Sequence, residues 1–279
     1  MLLHVRVTDS FTPFSSAQPI PIPNRCVFLS FTMIVTDHPP PSLPSANPDM
    51  YGLLVLGGQS TRMGRDKAFL DYPVNEETTQ PLYLRLLNLL HQACPAGVYI
   101  SHNTSQAARL HQGWLPPRTV LVPDDPRIIA SNIGGPAAGL LSAHLAKPDA
   151  TFLVLAVDFP LVTLETLTDL SARYTPPVTC YLHASDAHPE PLLSVWGPEA
   201  LDELRENAMG EMKKTGPCWT ARRIWKRLGV ETVGDDGKQM QEGKFVFKPR
   251  EQQWLFNTNE PEEWEKAKSI LCSRTSATQ

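Results

Sequence analysis

Leu54-Val-Leu-Gly-Gly-Gln-Ser-Thr-Arg-Met-Gly-Arg-Asp-Lys-Ala-Phe-Leu70 joins an apolar run, begun at Tyr51, to a glycine pair and then to a polar stretch carrying Arg62 and Lys67. The pattern predicts a buried strand opening into a loop whose backbone comes very close to a ligand. Glycine permits that approach because it has no Cβ and tolerates positive φ. Consecutive N–H groups of such a loop can face phosphate oxygens, while Arg62 and Lys67 neutralise their charge. A nucleoside triphosphate is the simplest ligand for it. Spacing rules out one familiar phosphate loop and tells against another. There is no Gly-x-x-x-x-Gly-Lys-Ser/Thr, and Gly57, Gly58 and Gly64 are not spaced as Gly-x-Gly-x-x-Gly. The bland alternative is a tight strand-to-helix turn with a solvated tail, for which Arg-Met-Gly-x-Asp-Lys is an unusual sequence.

Downstream of Tyr51, strand and helix patterns alternate. Residues 81–94 have helical spacing, with Pro81 tolerated in a first turn. Residues 98–101 and 119–122 read as short buried strands, 135–147 as a helix, 151–157 as an almost wholly apolar strand and 164–174 as a further helix. Such alternation predicts a mostly parallel sheet with helices on both faces. Ligands of such sheets bind beyond the carboxyl ends of the strands. Gly57-Gly58, Asp124 and Asp158 each follow a strand, so they are expected on one rim.

Composition adds bounds. The 279 residues carry a net charge of −4 and are 42% hydrophobic, an ordinary globular balance with no basic field for nucleic acid. No apolar run reaches the length of a bilayer span. The cysteines (Cys26, Cys94, Cys180, Cys218, Cys272) form no Cys-x-x-Cys pair, which fits free thiols in a reducing, cytoplasmic setting. The first 49 residues hold nine prolines and no lysine, and read as a disordered leader. Their few acidic residues are compatible with a targeting segment, although Arg6 and Arg25 are sparse for one; Met33 and Met50 are alternative starts.

Asp158 ends the strand Phe-Leu-Val-Leu-Ala-Val and precedes Phe-Pro-Leu-Val-Thr. An acid there is a poor structural choice unless it holds a cation or caps a helix. Thr163 already fits the cap, and magnesium is suited to one carboxylate with phosphate and water completing its shell. Asp124, in Val-Pro-Asp-Asp, is a ligand candidate beside Asp125, against a plain turn before Pro126. Arg222 with Lys226, and Arg223 with Arg227, form two basic stripes at helical spacing. They read either as a solvated face or, with Lys213 and Lys214, as a clamp for an anionic acceptor.

The first motif, with Gly57, Gly58, Ser60, Arg62, Met63, Gly64, Asp66 and Lys67, resembles the signature of nucleotidyltransferases similar to molybdenum cofactor guanylyltransferase. The Leu-Ala-Val-Asp158-Phe-Pro-Leu, Gly135-Pro-Ala-Ala-Gly139 and Asn257-Thr-Asn259-Glu-Pro segments resemble further stretches of that family, and the likeness covers roughly residues 51–270. One departure is Leu56, where the family usually has alanine at the strand end expected to meet the base. The resemblance implies an α/β fold: a single three-layer Rossmann-like domain like that of nucleotide-diphospho-sugar transferases. It spans 50–272, with 1–49 as leader and 273–279 as flexible tail. It implies transfer of a nucleoside monophosphate from an NTP, GTP foremost, to a phosphorylated acceptor, molybdopterin foremost, with pyrophosphate released. Arg62, Lys67 and Asp158 are the expected catalytic residues, with Asp158 holding Mg2+. Leu56, Gly57, Gly58, Ser60, Gly64, Lys67, Asn103, Asp124, Gly135, Asn257 and Asn259 are the expected binding residues; in the region of Asn103, Ser101 and His102 are alternatives, and Asn259 alternatively only caps the following helix. The strand 188–196 resembles the family's acceptor-side strand. Neither nucleic acid nor membrane is an expected partner, and the expected state is a monomer or small homo-oligomer. The alternatives are a transferase acting on another phosphorylated small molecule with another NTP, or a nucleotide-binding relative without catalysis.

Overall fold

Met50–Val55 form β1, buried at every position but Tyr51, and are followed in register by two strands on either side. The computed structural model describes residues 49–56, 62–75, 77–110, 115–183, 188–210, 217–228 and 245–276. Residues 1–48 of the expected leader, along with Gly57, Gly58, Ser60, Lys213 and Lys214, lie outside them. Beside β1, β4 (Val98–His102) and β6 (Thr151–Ala156) run parallel, and β5 (Thr119–Pro123) runs parallel beyond β4. A hairpin of β2 (Asp71–Pro73) and β3 (Thr79–Pro81) stands apart.

The sheet has seven strands in the order β5-β4-β1-β6-β8-β7-β9, completed by β7 (Val178–Leu182), β8 (Pro189–Trp196) and the short β9 (Val246–Phe247). β8 runs antiparallel to both of its neighbours, and all other pairings are parallel. Its reversal brings Pro189 and Glu190 to the rim formed by the carboxyl end of β6. Two prolines fit in this strand because the register against β7 shifts between Cys180 and Tyr181. The bulged Pro191 carbonyl accepts from Ser194 Oγ at 2.5 Å and Trp196 Nε1 at 3.0 Å.

Helices lie on both faces. On β1, Gly52 faces Leu90 of α1 (Leu82–Ala93), and Val55, three residues on, faces Gly139 of α4 (Pro136–Ala146). Odd and even positions of a strand point to opposite faces, so α1 and α4 sandwich the sheet. α5 (Leu164–Arg173) packs beside α1, and α6 (Pro198–Met209) beside α4, with α7 (Pro217–Arg227) next to α6. The short α2 (Thr104–Ala107) and α3 (Pro126–Ala130) follow β4 and β5. α8 (Pro261–Ser276) closes the chain and continues past residue 272, into the stretch expected as a tail. The result is the three-layer α/β domain implied by the alternation. The boundaries read from the sequence for α1, β4, β5, α4, β6 and α5 fall within about two residues of those observed, the usual end fraying. No helix among the described residues is long and apolar enough to cross a membrane.

A candidate nucleotide site at the carboxyl rim

Lys67 is the first residue of a 3-10 turn, Lys67–Phe69, that follows the glycine loop. Asp66 starts that turn by accepting Ala68 N–H on Oδ1 at 3.0 Å. The Lys67 ammonium donates to Asp158 Oδ1 at 2.7 Å and to Asn259 Oδ1 at 3.0 Å. Three motifs separated by 91 and 192 residues thus meet at one nitrogen.

The two oxygen bearers are held from behind. Thr258, completely buried, donates its backbone N–H to the Asp158 carbonyl at 2.9 Å and its hydroxyl to the same carbonyl at 3.3 Å. Glu263 accepts the Asn259 and Glu260 N–H groups at 2.5 and 3.0 Å, the third-position half of a capping box for α8. Asn259 therefore does not cap that helix with its side chain, which is turned to Lys67. Thr163 caps α5, so Asp158 has no capping role there either. Asn257 buries Oδ1 without a hydrogen-bond partner. Oxygens of Asp158 and Asn259 converging on one cation are the hard donor set that magnesium takes, with the ammonium standing where a metal would be attracted. Among the described residues no three His, Cys, Asp or Glu side chains cluster, so a metal at Asp158 would draw most of its shell from ligand and water.

The other expected residues spread along the rim. Arg62 is exposed, and Gly64 follows it with φ of +70°, a conformation that favours glycine. Leu56 is buried at the end of β1. Asn103 caps α2: its Oδ1 accepts Gln106 N–H at 3.1 Å and the Ser105 hydroxyl at 2.6 Å. Gly135 begins α4 with φ of +62° and open space where a Cβ would stand. Gly139, one turn on, lets α4 touch β4; a Cβ there would lie 2.4 Å from Ser101 Oγ, a buried hydroxyl with no partner. Asp124 follows β5, three inter-strand spacings from β6, or about 14 Å. The rim therefore suits an extended ligand better than an ion alone.

Asp124 and Asp125 divide their tasks. Asp125 caps α3 and pairs with Arg127 at 2.8 Å, which holds its carboxyl down at about 2. Burial pushes the Asp124 carboxyl up from its usual value, and nearby His102 opposes part of the rise. A carboxyl whose folded pKa is raised costs stability when ionised. The penalty is complete above the folded pKa and vanishes as pH falls below the unfolded one. Asp124→Asn is therefore expected to melt at or above the parent temperature at pH 7, the gap closing towards about pH 4. A clear fall in melting temperature at pH 7 would make Asp124 a structural group.

On the far side of β6, Glu190 accepts Leu192 N–H at 2.9 Å and lies 3.0 Å from His183 Nε2, linking β8 to the end of β7. One of the two basic stripes is engaged by the protein itself. Arg223 Nε and Arg227 both meet the buried Glu203 of α6, at 2.8 and 3.0 Å, because that stripe faces the neighbouring helix. Arg222 is half-buried and Lys226 exposed.

The sequence reading missed Gln106, which is completely buried. The Asn103-x-x-Gln106 spacing is itself a capping-box signal for α2, and both halves of the box are formed.

Known proteins resemble this chain in sequence or in fold. A 154-residue stretch is 31% identical to the molybdenum cofactor biosynthesis bifunctional protein of Synechocystis, covering 54% of this chain and 40% of that protein. The matched stretch thus spans about two fifths of that relative's length. Molybdopterin-guanine dinucleotide biosynthesis protein A of Archaeoglobus fulgidus superposes with a TM-score of 0.51 at 20% identity, over 81% of this chain and all of that one. A nucleotidyl transferase from Methanothermobacter superposes with a TM-score of 0.54 at 15% identity, over 82% of this chain and all of that one. These two likenesses establish the fold. Residues 52–231 match the MobA-like NTP transferase domain, and the chain belongs to that family.

Proposed function

We propose that this nucleotidyltransferase-family protein moves a nucleoside monophosphate, GMP foremost, from an Mg-bound NTP to a phosphorylated acceptor of the molybdopterin type. The observation that carries the reading is the meeting of Lys67, Asp158 and Asn259 at 2.7 and 3.0 Å on the carboxyl rim. An acceptor phosphate oxygen forms a bond to the α-phosphorus as the bond from that phosphorus to the bridging oxygen breaks. Pyrophosphate leaves with the electron pair. An ionised phosphate needs no strong general base, so positioning and charge neutralisation suffice. Lys67 and Arg62 hold the triphosphate, with the N–H groups of Gly57, Gly58, Ser60 and Gly64. Asp158 and Asn259 would hold Mg2+, which would supply charge neutralisation at the phosphates, and Asn257 would bond phosphate or metal-bound water. Leu56, Asn103, Asp124 and Gly135 lie on the nucleoside side; Asn103 would use its amide nitrogen, since its oxygen is engaged in the α2 cap. The acceptor approaches from β8. Residues 50–272 form the catalytic unit, following a leader over 1–49, in a cytoplasmic protein.

Guanine and molybdopterin come from the names of the relatives. Two observations support a second reading, a transferase with another NTP or another phosphorylated acceptor. Leu56 replaces a smaller residue at the base end, and Glu203 neutralises one of the basic stripes that would clamp an acceptor. The test is pyrophosphate release by the full chain with Mg2+, each of the four NTPs in turn, and molybdopterin or other phosphorylated acceptors. Release with GTP that depends on molybdopterin is expected. Release only with another pair would transfer the assignment to the second reading, and NTP binding with no release under any pair would leave a non-catalytic relative.

A further inference from the structure

Gln106 is buried completely, and the NH2 of its side-chain amide is engaged by two groups 50 and 40 residues before it. Nε2 donates to the Leu56 carbonyl at 3.0 Å and to Asp66 Oδ2 at 3.0 Å, while Oε1 accepts Asn103 N–H at 3.1 Å. Leu56 is the last residue before the glycine pair, and Asp66 is the residue before Lys67. A single NH2 group therefore ties together the two ends of the signature stretch. With Oδ2 on Gln106 and Oδ1 on Ala68 N–H, Asp66 has both oxygens committed, which fixes the start of the turn that aims Lys67. The same segment braces the turn from its other side: the Arg109 guanidinium lies 3.6 Å from the centre of the Phe69 ring.

We propose that Gln106 is a positioning residue for triphosphate binding, acting through Leu56 and Asp66 to hold the ends of the glycine segment and the direction of Lys67. The proposal rests on the reading of that segment as a triphosphate cradle. A group that orients a binding residue from behind typically changes affinity by about ten- to a hundredfold when removed.

The experiment measures binding of a fluorescent trinitrophenyl nucleotide with Mg2+, and its displacement by unlabelled NTP, for the parent, Gln106→Ala and Gln106→Glu. Gln106→Ala is expected to keep the parent circular dichroism and to bind NTP about tenfold more weakly at every pH. Gln106→Glu places a second carboxyl against Asp66. Ionised, the two repel; sharing one proton, one donates to the other. Its affinity is therefore expected to be poor at about pH 8 and to recover towards the parent near about pH 5. That recovery is a readout a merely space-filling role would not give. A folded Gln106→Ala with parent affinity, or a Gln106→Glu whose deficit does not change with pH, overturns the proposal while leaving the cradle intact. No nucleotide binding by the parent overturns both. Should the alanine variant fail to fold, the pH profile of the glutamate variant decides alone.

Discussion

Asp158→Asn is expected to fold as the parent does and to lose about a thousandfold in pyrophosphate release, the scale at which removing one preorganised charge-stabilising group slows an enzyme. The carboxylate has no structural duty that asparagine cannot assume. Its backbone carbonyl, not its side chain, anchors Thr258, and Thr163 caps the following helix. The choice of asparagine over alanine is dictated by Lys67. The Lys67 side chain is 8% exposed and that of Asp158 25%, so deleting the carboxylate strands a nearly buried ammonium. Breaking a buried pair from one side costs about 3–5 kcal/mol, and this pair, being partly wet on the Asp158 side, belongs below that range. The pair makes Asp158→Ala a confounded test. Asparagine keeps an oxygen for Lys67 while removing the charge that would draw Mg2+. Thermal melting and pyrophosphate release, measured on one preparation, separate the two effects. Turnover within about tenfold of the parent, with folding intact, would remove the metal role from Asp158.

The parts legible in the sequence are those set by local pattern. The apolar runs at 151–157 and 98–101 and the Pro-started helices locate the sheet and its rim, because period and turn chemistry act within a few residues. Parallelism was also readable, except at β8, whose reversal depends on pairing with β6 and β7. What was illegible is long-range. Nothing near Gln106 says that its amide reaches Leu56 and Asp66, and nothing near Arg223 says that its helix face meets Glu203. Asn259 shows the same limit in reverse. As a sequence it reads either as a binding residue, by family resemblance, or as a cap before Pro261, and the approach of Lys67, 192 residues away, is what turns the side chain from the cap. Helical spacing locates a charged stripe, but which helix it faces is a property of the packed layers.

Lys67→Met carries the second large expectation, a loss of about a thousandfold in kcat/KM for the NTP, since one charge-assisted contact to the triphosphate and its share of transition-state stabilisation disappear together. Folding should suffer less than in an Asp158→Ala protein, because the carboxylate left behind is more exposed than the ammonium would be, and methionine keeps the apolar length of the stem. A second consequence separates this residue from any other phosphate contact. Without nucleotide, the ammonium occupies the oxygens of Asp158 and Asn259, and two cations about 4 Å apart repel by about 4 kcal/mol per unit charge pair at an intermediate dielectric. The nucleotide-free parent should therefore hold a divalent ion weakly. Once a triphosphate is present, Lys67 has other anions to meet, and the carboxylate is released to the metal. In Lys67→Met the competitor is gone, so titration of the nucleotide-free protein with Mn2+ should show binding at least about tenfold tighter than in the parent, even though NTP binding has collapsed. Equal Mn2+ affinity in the two proteins would mean that the metal does not use the oxygens that Lys67 holds, and the site would have to be redrawn around Asn257 and the loop. Tighter Mn2+ binding that disappears in a Lys67→Met, Asp158→Asn double variant would assign the ion to the Asp158 carboxylate, with Lys67 as its competitor in the nucleotide-free protein.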